Sequence, residues 1–289
     1  MKSPWFLLVC MVVQLGAQAA TETTVAYTDF DGTQRNVDAV VSEPASGAGG
    51  AKVPAVVILH SRAGWPPGFT HQYAELFSQH GAVAVELKMF DGTPANPLRY
   101  LSQVYATLNQ LAGRQDVDRS RIYVMGMSYG ASLSIYAATS WAAERYGKPG
   151  LRFAKFASLY PTCFFHEGIV ARDSKIAQRM KGFGFPDDFH DRWQDAPVRI
   201  FQGADDRYDD ADPKACEKFV QRIPDPTART RFDVTVWPGA THGWDQPGSK
   251  TVFDPLGCRF KGCDASFAFN GEVAQKTKAE LLGFFSMVQ

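Results

Sequence analysis

The sequence predicts an α/β fold: a mostly parallel central sheet with an antiparallel N-terminal edge and helices on both faces. Three observations predict it. Short, largely apolar runs recur at Val53–Leu59, 82–87 and 121–127, the pattern of strands buried on both faces. Segments of helical periodicity separate these runs. At the front, residues 25–30 and 37–41 alternate in polarity around Asp31-Gly32, a hairpin signature.

The elements follow in chain order. Lys2, an apolar run over 5–15 interrupted strongly only by Gln14, and the small residues Gly16-Ala17-Gln18-Ala19-Ala20 predict a secretory signal peptide over 1–19. The run is too short to span a bilayer stably. Cys10 follows Leu8-Val9, which are not the small residues a lipoprotein site needs. The mature chain, 20–289, is expected to be exported, periplasmic or secreted, and to form one domain. Residues 42–52, rich in Gly, Ala and Ser, predict a loop. Helices are expected over 71–80 (ended by Gly81), 98–111 and 131–145, with a closing helix over 266–287. Further strands are expected over 153–160, 198–202 and Phe232–Trp237. Residues 163–196, with Gly182-Phe183-Gly184-Phe185-Pro186, interrupt the alternation. A segment this long between strands suggests a cap over a site; the alternative is a surface excursion containing one helix.

Composition narrows the function classes. With 45% hydrophobic and 21% charged residues in 289, one large core is possible. Lys+Arg and Asp+Glu stand at 30 each, a formal net charge of zero, so nothing points to nucleic acid or an anionic membrane as partner. Past the signal segment four cysteines remain: Cys163, Cys216, Cys258 and Cys263. An even count in an exported chain suggests disulfides, with three pairings possible. Cys258 and Cys263 are close enough for a small loop bridge, which leaves Cys163 with Cys216. Four free thiols is the alternative, and the spacing does not suit zinc.

Ligands in such sheets bind beyond the carboxyl ends of the strands. There the sequence places Gly126-Met127-Ser128-Tyr129-Gly130, between a buried strand and a helix. The pattern matches a strained nucleophile turn that lifts a serine hydroxyl clear of the sheet; an ordinary strand-to-helix turn is the alternative. The serine needs a base. Of six histidines, His71 and His80 read as helix surface, His166 and His190 fall in the 163–196 segment, and His60 reads as support for its loop. His242, after the last strand, is the candidate base. The base needs an acceptor on its other ring nitrogen. The strand ending near Gln202 leads into Gly203-Ala204-Asp205-Asp206-Arg207-Tyr208-Asp209-Asp210. Asp206 is the candidate acid, with Asp205 in reserve. Asp209 and Asp210 read as the start of the next helix. The order Ser, Asp, His is the one this fold requires. The oxyanion needs two backbone donors, one from Tyr129 and one from the loop His60-Ser61-Arg62-Ala63-Gly64.

These residues resemble the dienelactone hydrolase family within the α/β-hydrolases. The carrying segments are Val56-Val57-Ile58-Leu59-His60 through Gly64, Asp118-Arg119-Ser120-Arg121-Ile122 through Gly130, Gly203 through Asp206, and Gly239-Ala240-Thr241-His242-Gly243. The resemblance implies the acid at Asp206, three residues after the strand-closing glycine, and the second oxyanion amide at Arg62. Tyr160-Pro161-Thr162-Cys163 and the later Cys216 resemble exported members of the family. Ser128 stands where the best-known members carry a cysteine nucleophile, and Ala131 where a second glycine is common. The expected activity is hydrolysis of a small-molecule ester or lactone through an acyl-enzyme, with no cofactor and no metal. A peptidase or acyltransferase on the same triad, and a non-catalytic binding protein of the same fold, are the alternatives.

Overall fold

The computed structural model describes residues 20–44, 50–65, 67–90 and 95–287. The expected signal peptide, 1–19, lies outside the described residues. The described residues start with an antiparallel pair, β1 (Thr21–Thr28) and β2 (Gln34–Ser42), joined through Asp31-Gly32. Then β3 (Val53–Leu59), α1 (Pro67–Gln79), β4 (Val83–Leu87), α2 (Pro97–Ala112), β5 (Val117–Met127) and α3 (Tyr129–Ala137) alternate as the sequence predicts. All seven residues of β3 and all five of β4 are buried. Each such Val, Ile or Leu contributes about 1.5–3 kcal/mol by leaving water.

The sheet order is β1-β2-β4-β3-β5, continuing through β6 (Lys155–Leu159), β7 (Val198–Gly203) and β8 (Phe232–Trp237). β2 runs antiparallel to β4, and every pair from β4 to β8 is parallel. The side-chain period of two divides β3 between two cores. Val57 and Leu59 join the cluster under α2 and α3, with Leu101, Leu108 and Ile135. Val56 and Ile58 join the opposite cluster, with Phe77, Trp244 and Phe285.

Three segments differ from expectation. The helix expected over 131–145 is two: α3 stops at Ala137, and Thr139 caps α4 (Ser140–Tyr146) by accepting from the Ala142 N–H. A hydroxyl that can cap competes with helix continuation. Residues 163–196 hold two helices, α5 (Cys163–Val170) and α6 (Ser174–Phe183), the second capped by the Asp173 carboxylate. After α7 (Ala215–Arg222) and α8 (Pro226–Arg229), the closing helix begins later than expected. Residues 266–268 belong to a hairpin of β9 (Ser249–Asp254) and β10 (Cys263–Ala268), joined through the irregular turn α9 (Gly257–Phe260). Only then does α10 (Gly271–Phe284) start, capped by Asn270. Alternation at Ser266-Phe267-Ala268 is the strand signal that helix periodicity overran.

Cys163 is joined to Cys216 and Cys258 to Cys263, with Cα separations of 4.9 and 5.9 Å. The first ties α5 to α7; the second closes the tip of the hairpin. Among the described residues, no helix is long and apolar enough to cross a membrane.

Candidate active site

Parallel strands deliver their carboxyl ends to one rim, and β5, β7 and β8 each hand over one side chain there. β5 ends at Met127, and Ser128 follows with φ 53° and ψ −111°, a backbone conformation that serine adopts only under surrounding constraint. The flanking glycines explain the constraint. A Cβ on Gly126 would lie 2.0 Å from the Gly130 carbonyl oxygen, and a Cβ on Gly130 would lie 2.3 Å from that of Leu59. Both positions must be glycine for the turn to fit between β3 and β5. The Ser128 amide donates to Leu159 O at 2.9 Å, which pins the turn to β6.

The loops that carry Asp206 and His242 meet over another glycine. A Cβ on Gly203, at the end of β7, would stand 2.4 Å from Ala240 O. With hydrogen there instead, Asp205 N–H donates to Ala240 O at 3.0 Å, and Ala204 N–H donates to Trp237 O at 2.9 Å. That contact sets Asp206 beside His242. Nδ1–H of His242 donates to Asp206 Oδ2 at 2.7 Å. In a neutral ring this leaves Nε2 as the acceptor, and the Ser128 hydroxyl donates to it at 2.8 Å. Asp206 and His242 are buried. Asp206 Oδ1 is held by the Tyr208 N–H at 2.9 Å, so both carboxylate oxygens are occupied and the ring's tautomer is fixed.

Three rings enclose the imidazole: Tyr208 at 4.3 Å between centroids, Tyr160 at 4.9 Å and Phe267 at 5.6 Å. Two of them are anchored by carboxylates. Tyr160 and Tyr73 both donate to Asp245, at 2.8 and 2.6 Å. Asp245 is buried, and burial raises its carboxyl above the ordinary range. Tyr208 donates to Asp254 Oδ2 at 2.6 Å, and the Arg62 guanidinium donates to the same oxygen at 2.6 Å. Asp254 closes β9, so this junction ties the hairpin to the loop after β3.

Ser128 and His242 open into a cavity of about 590 Å³, within the usual range for a small-molecule site. One wall comes from α3 and α6 (Tyr129, Tyr136, Met180, Phe183), the other from the hairpin (Val252, Phe267). The hairpin wall was not foreseen, although Lys250-Thr251-Val252-Phe253 and Ser266-Phe267-Ala268, flanking the Cys258 and Cys263 pair, carry a hairpin signal.

The remaining candidates fall as follows. Tyr129 opens α3, in the first turn, where backbone N–H groups have no intrahelical acceptor. Arg62 lies in the loop after β3 and lines the cavity. Asp205 is exposed at the surface. Asp209 does not start a helix: it sits in a 3-10 turn with Asp210 in the left-handed region after it, and α7 begins only at Ala215. Its carboxylate instead accepts the amides of Cys163 at 3.1 Å and Phe164 at 2.8 Å, at the start of α5. Burial and the nearby Asp206 carboxylate push Asp209 up to about 8, against the pull of those amides. His60 supports its loop: it accepts from Met89 N–H on Nε2 at 3.1 Å, which leaves Nδ1–H to donate to Ser61 O at 2.8 Å. Among the described residues one further set has metal-ligand spacing, Cys163, Asp209 and Cys216. Its two sulfurs are bonded to each other, which removes both thiolates.

No protein-family model matches the sequence, and no curated protein matches it either. Solved structures do. The native esterase Est2 of the planctomycete Thermogutta terrifontis superposes with a TM-score of 0.64 at 16% identity, over 94% of this chain and 92% of that one. Est1E from Butyrivibrio proteoclasticus gives 0.59 at 18% identity, over 91% and 100%. An acylaminoacyl peptidase of Pyrococcus horikoshii gives 0.59 at 13% identity, and this chain spans 42% of its length. The chain has the α/β-hydrolase fold.

Proposed function

We propose that this protein is a serine hydrolase that cleaves a carboxylic ester or lactone through an acyl-enzyme. The observation that carries the reading is the unbroken chain from the Ser128 hydroxyl through His242 to Asp206, at 2.8 and 2.7 Å, with Ser128 and His242 lining the cavity. Ser128 Oγ attacks the substrate carbonyl carbon while Nε2 of His242 takes its proton. Asp206 holds the ring in orientation and stabilises the imidazolium. The amides of Tyr129 and Arg62 receive the oxyanion, where loss of one donor costs about 10²–10³ in turnover. His242 returns the proton to the leaving alkoxide as the C–O bond breaks. Water, deprotonated by His242, then attacks the acyl-enzyme; the C–Oγ bond breaks, His242 returns the proton to Ser128, and the acid leaves. No step needs a metal or an organic cofactor.

The esterases among the structural neighbours fit an ester substrate. The segments quoted above support membership of the dienelactone hydrolase family, as an exported branch with a serine nucleophile. Residues 1–19 act as the export signal, the mature chain is one domain with 163–196 as its cap, and two disulfides suit an oxidising compartment. A fluorophosphonate probe applied to wild type and to Ser128→Ala, with peptide mapping and a panel of acyl esters and lactones, tests the reading. Wild type should be labelled on Ser128 and hydrolyse at least one ester, and Ser128→Ala should do neither. Unlabelled, inactive wild type, or an equally active Ser128→Ala, would overturn it.

A further inference from the structure

The catalytic chain leaves unexplained a second, parallel chain of polar groups on the same cavity. Ser132 stands four residues after Ser128 on α3, one helical turn further along, and lines the cavity. Its Oγ lies 3.1 Å from Nε2 of His166 on α5. Nδ1 of His166 lies 3.2 Å from Nε2 of His190, and the two rings stack with an interplanar angle of 13°. Both histidines are buried, and Ser132 keeps 9% of its surface exposed. Aromatic rings pack on the pair from α3 (Tyr136), the 163–196 segment (Phe189, Trp193) and α7 (Phe219). Each polar group in such surroundings must find a hydrogen-bond partner, because leaving one unpaired there costs free energy.

The hydrogens along this chain can run two ways, and one atom decides between them. Among the described residues, Nδ1 of His190 has no hydrogen-bond partner. If the Ser132 hydroxyl donated inward, His166 would donate to His190, and His190 would have to carry its proton on Nδ1. That would bury an N–H with no acceptor, the rarer and costlier orphan. In the opposite sense, His190 Nε2–H donates to His166 Nδ1, and His166 Nε2–H donates to Ser132 Oγ. Only a lone pair is then left over. The Ser132 oxygen becomes an acceptor on its buried side, so its own hydrogen is free to point into the cavity. Burial pushes His166 down to about 3 and His190 well below its ordinary range. Both rings stay neutral, and His166 is too weak a base to make Ser132 a second nucleophile.

The geometry points to Ser132 as a specificity-determining residue: an O–H donor that selects esters whose acyl chain carries an oxygen acceptor a few bonds from the scissile carbonyl. This rests on the hydrolase reading above. The acyl side follows from the roles at Ser128. The leaving oxygen must face Nε2 of His242, whose ring packs against Tyr208 and Phe267 along the same cavity. The oxyanion must face the Tyr129 and Arg62 amides. The remaining substituent, the acyl chain, is left the α3 wall, where an ether, keto or hydroxyl oxygen meets Ser132 beside Met180, Phe183 and the Arg179 side chain.

The test uses two isosteric substrates, p-nitrophenyl 3-methoxypropanoate and p-nitrophenyl pentanoate, on the full mature protein. The quantity read is kcat/KM for the ether ester divided by kcat/KM for the alkyl ester. This ratio does not depend on the fraction of active enzyme. Ser132→Ala should lower it by about three- to tenfold, the worth of one neutral hydrogen bond. Ser132→Cys, nearly isosteric but a weak donor, should also lower it, and substitutes if the alanine variant does not fold. A merely structural role for Ser132 would move both substrates together and leave the ratio where it was. An active wild type with the same ratio in either variant overturns this inference alone. A wild type that is labelled by a fluorophosphonate but hydrolyses neither ester overturns this inference alone, and one that is also unlabelled overturns the hydrolase reading with it.

Discussion

Replacing Gly203 with alanine tests whether the acid and base loops owe their register to one missing methyl group. In the native packing a Cβ at position 203 would lie 2.4 Å from Ala240 O and 3.0 Å from Thr241 O, whereas ordinary contact begins at 3.4 Å. The two loops must therefore separate by about 1 Å, because both partners are backbone and neither can rotate away. That displacement falls on the Asp206–His242 bond of 2.7 Å and takes it past the range where it holds the ring. A misplacement of about 1 Å in a catalytic group costs roughly 10² in rate, and overpacking costs about 1–3 kcal/mol of stability. Each kcal/mol lowers Tm by about 2–4 °C in a domain near this size. Gly182→Ala is the control: it sits on α6 with nothing within 4 Å of its added Cβ. It should leave kcat/KM unchanged and hold or raise Tm, since alanine favours helix over glycine by about 1 kcal/mol. The measurements are kcat/KM on a short ester, the fraction labelled by a fluorophosphonate, and Tm. If Gly203→Ala stays within twofold of wild type in kcat/KM, the packing argument is wrong.

Three further outcomes follow from the geometry. Asp206→Asn should cut kcat by about 10⁴ by losing the correct tautomer, while the exposed Asp205→Asn stays within a few-fold; the reverse ranking would move the acid to Asp205. Asp209 is pushed from its ordinary 3.8 up to about 8, so between those values the folded state holds a proton that the unfolded state has lost. Its contribution therefore destabilises the fold progressively as pH rises from about 4 to about 8. The Tm of Asp209→Asn minus that of wild type should rise across this window, and a flat or falling difference would refute the assignment. The Cys163–Cys216 bridge closes 53 residues and Cys258–Cys263 closes 5, so chain entropy gives about 4 and about 2 kcal/mol respectively. Double Cys→Ala variants measured by denaturant titration should show the larger loss at the first pair, and equal losses would contradict the loop-length account.

Much of the site was legible in the sequence because its constraints are local. Gly126, Ser128 and Gly130 advertise a strained turn between a buried strand and a helix, and the order of Ser128, Asp206 and His242 after successive strands follows from parallel strands ending at one rim. What escaped was set by packing between distant segments. Asp209 looks like a helix start in one dimension, since acidic residues favour that position; it is in fact a buried acceptor for the amides of Cys163 and Phe164, some 45 residues earlier. Residues 266–268, the end of β10, fall within the expected closing helix, and the rest of the β9–β10 hairpin carries no expectation, because a short, largely exposed hairpin has a weak periodic signal.

The sequence by itself determined the alternation of buried strands and helices, the strained turn at Ser128, and the residue types of the candidate triad, because each depends on neighbours within a few positions. Only the tertiary structure decided which aspartate faces His242, that Tyr160, Tyr208 and Phe267 enclose that ring, and that Ser132 shares its oxygen with a buried pair of histidines. Those outcomes depend on which loops share the strand ends and on what each buried polar atom finds within hydrogen-bond reach, and no local pattern encodes such distances.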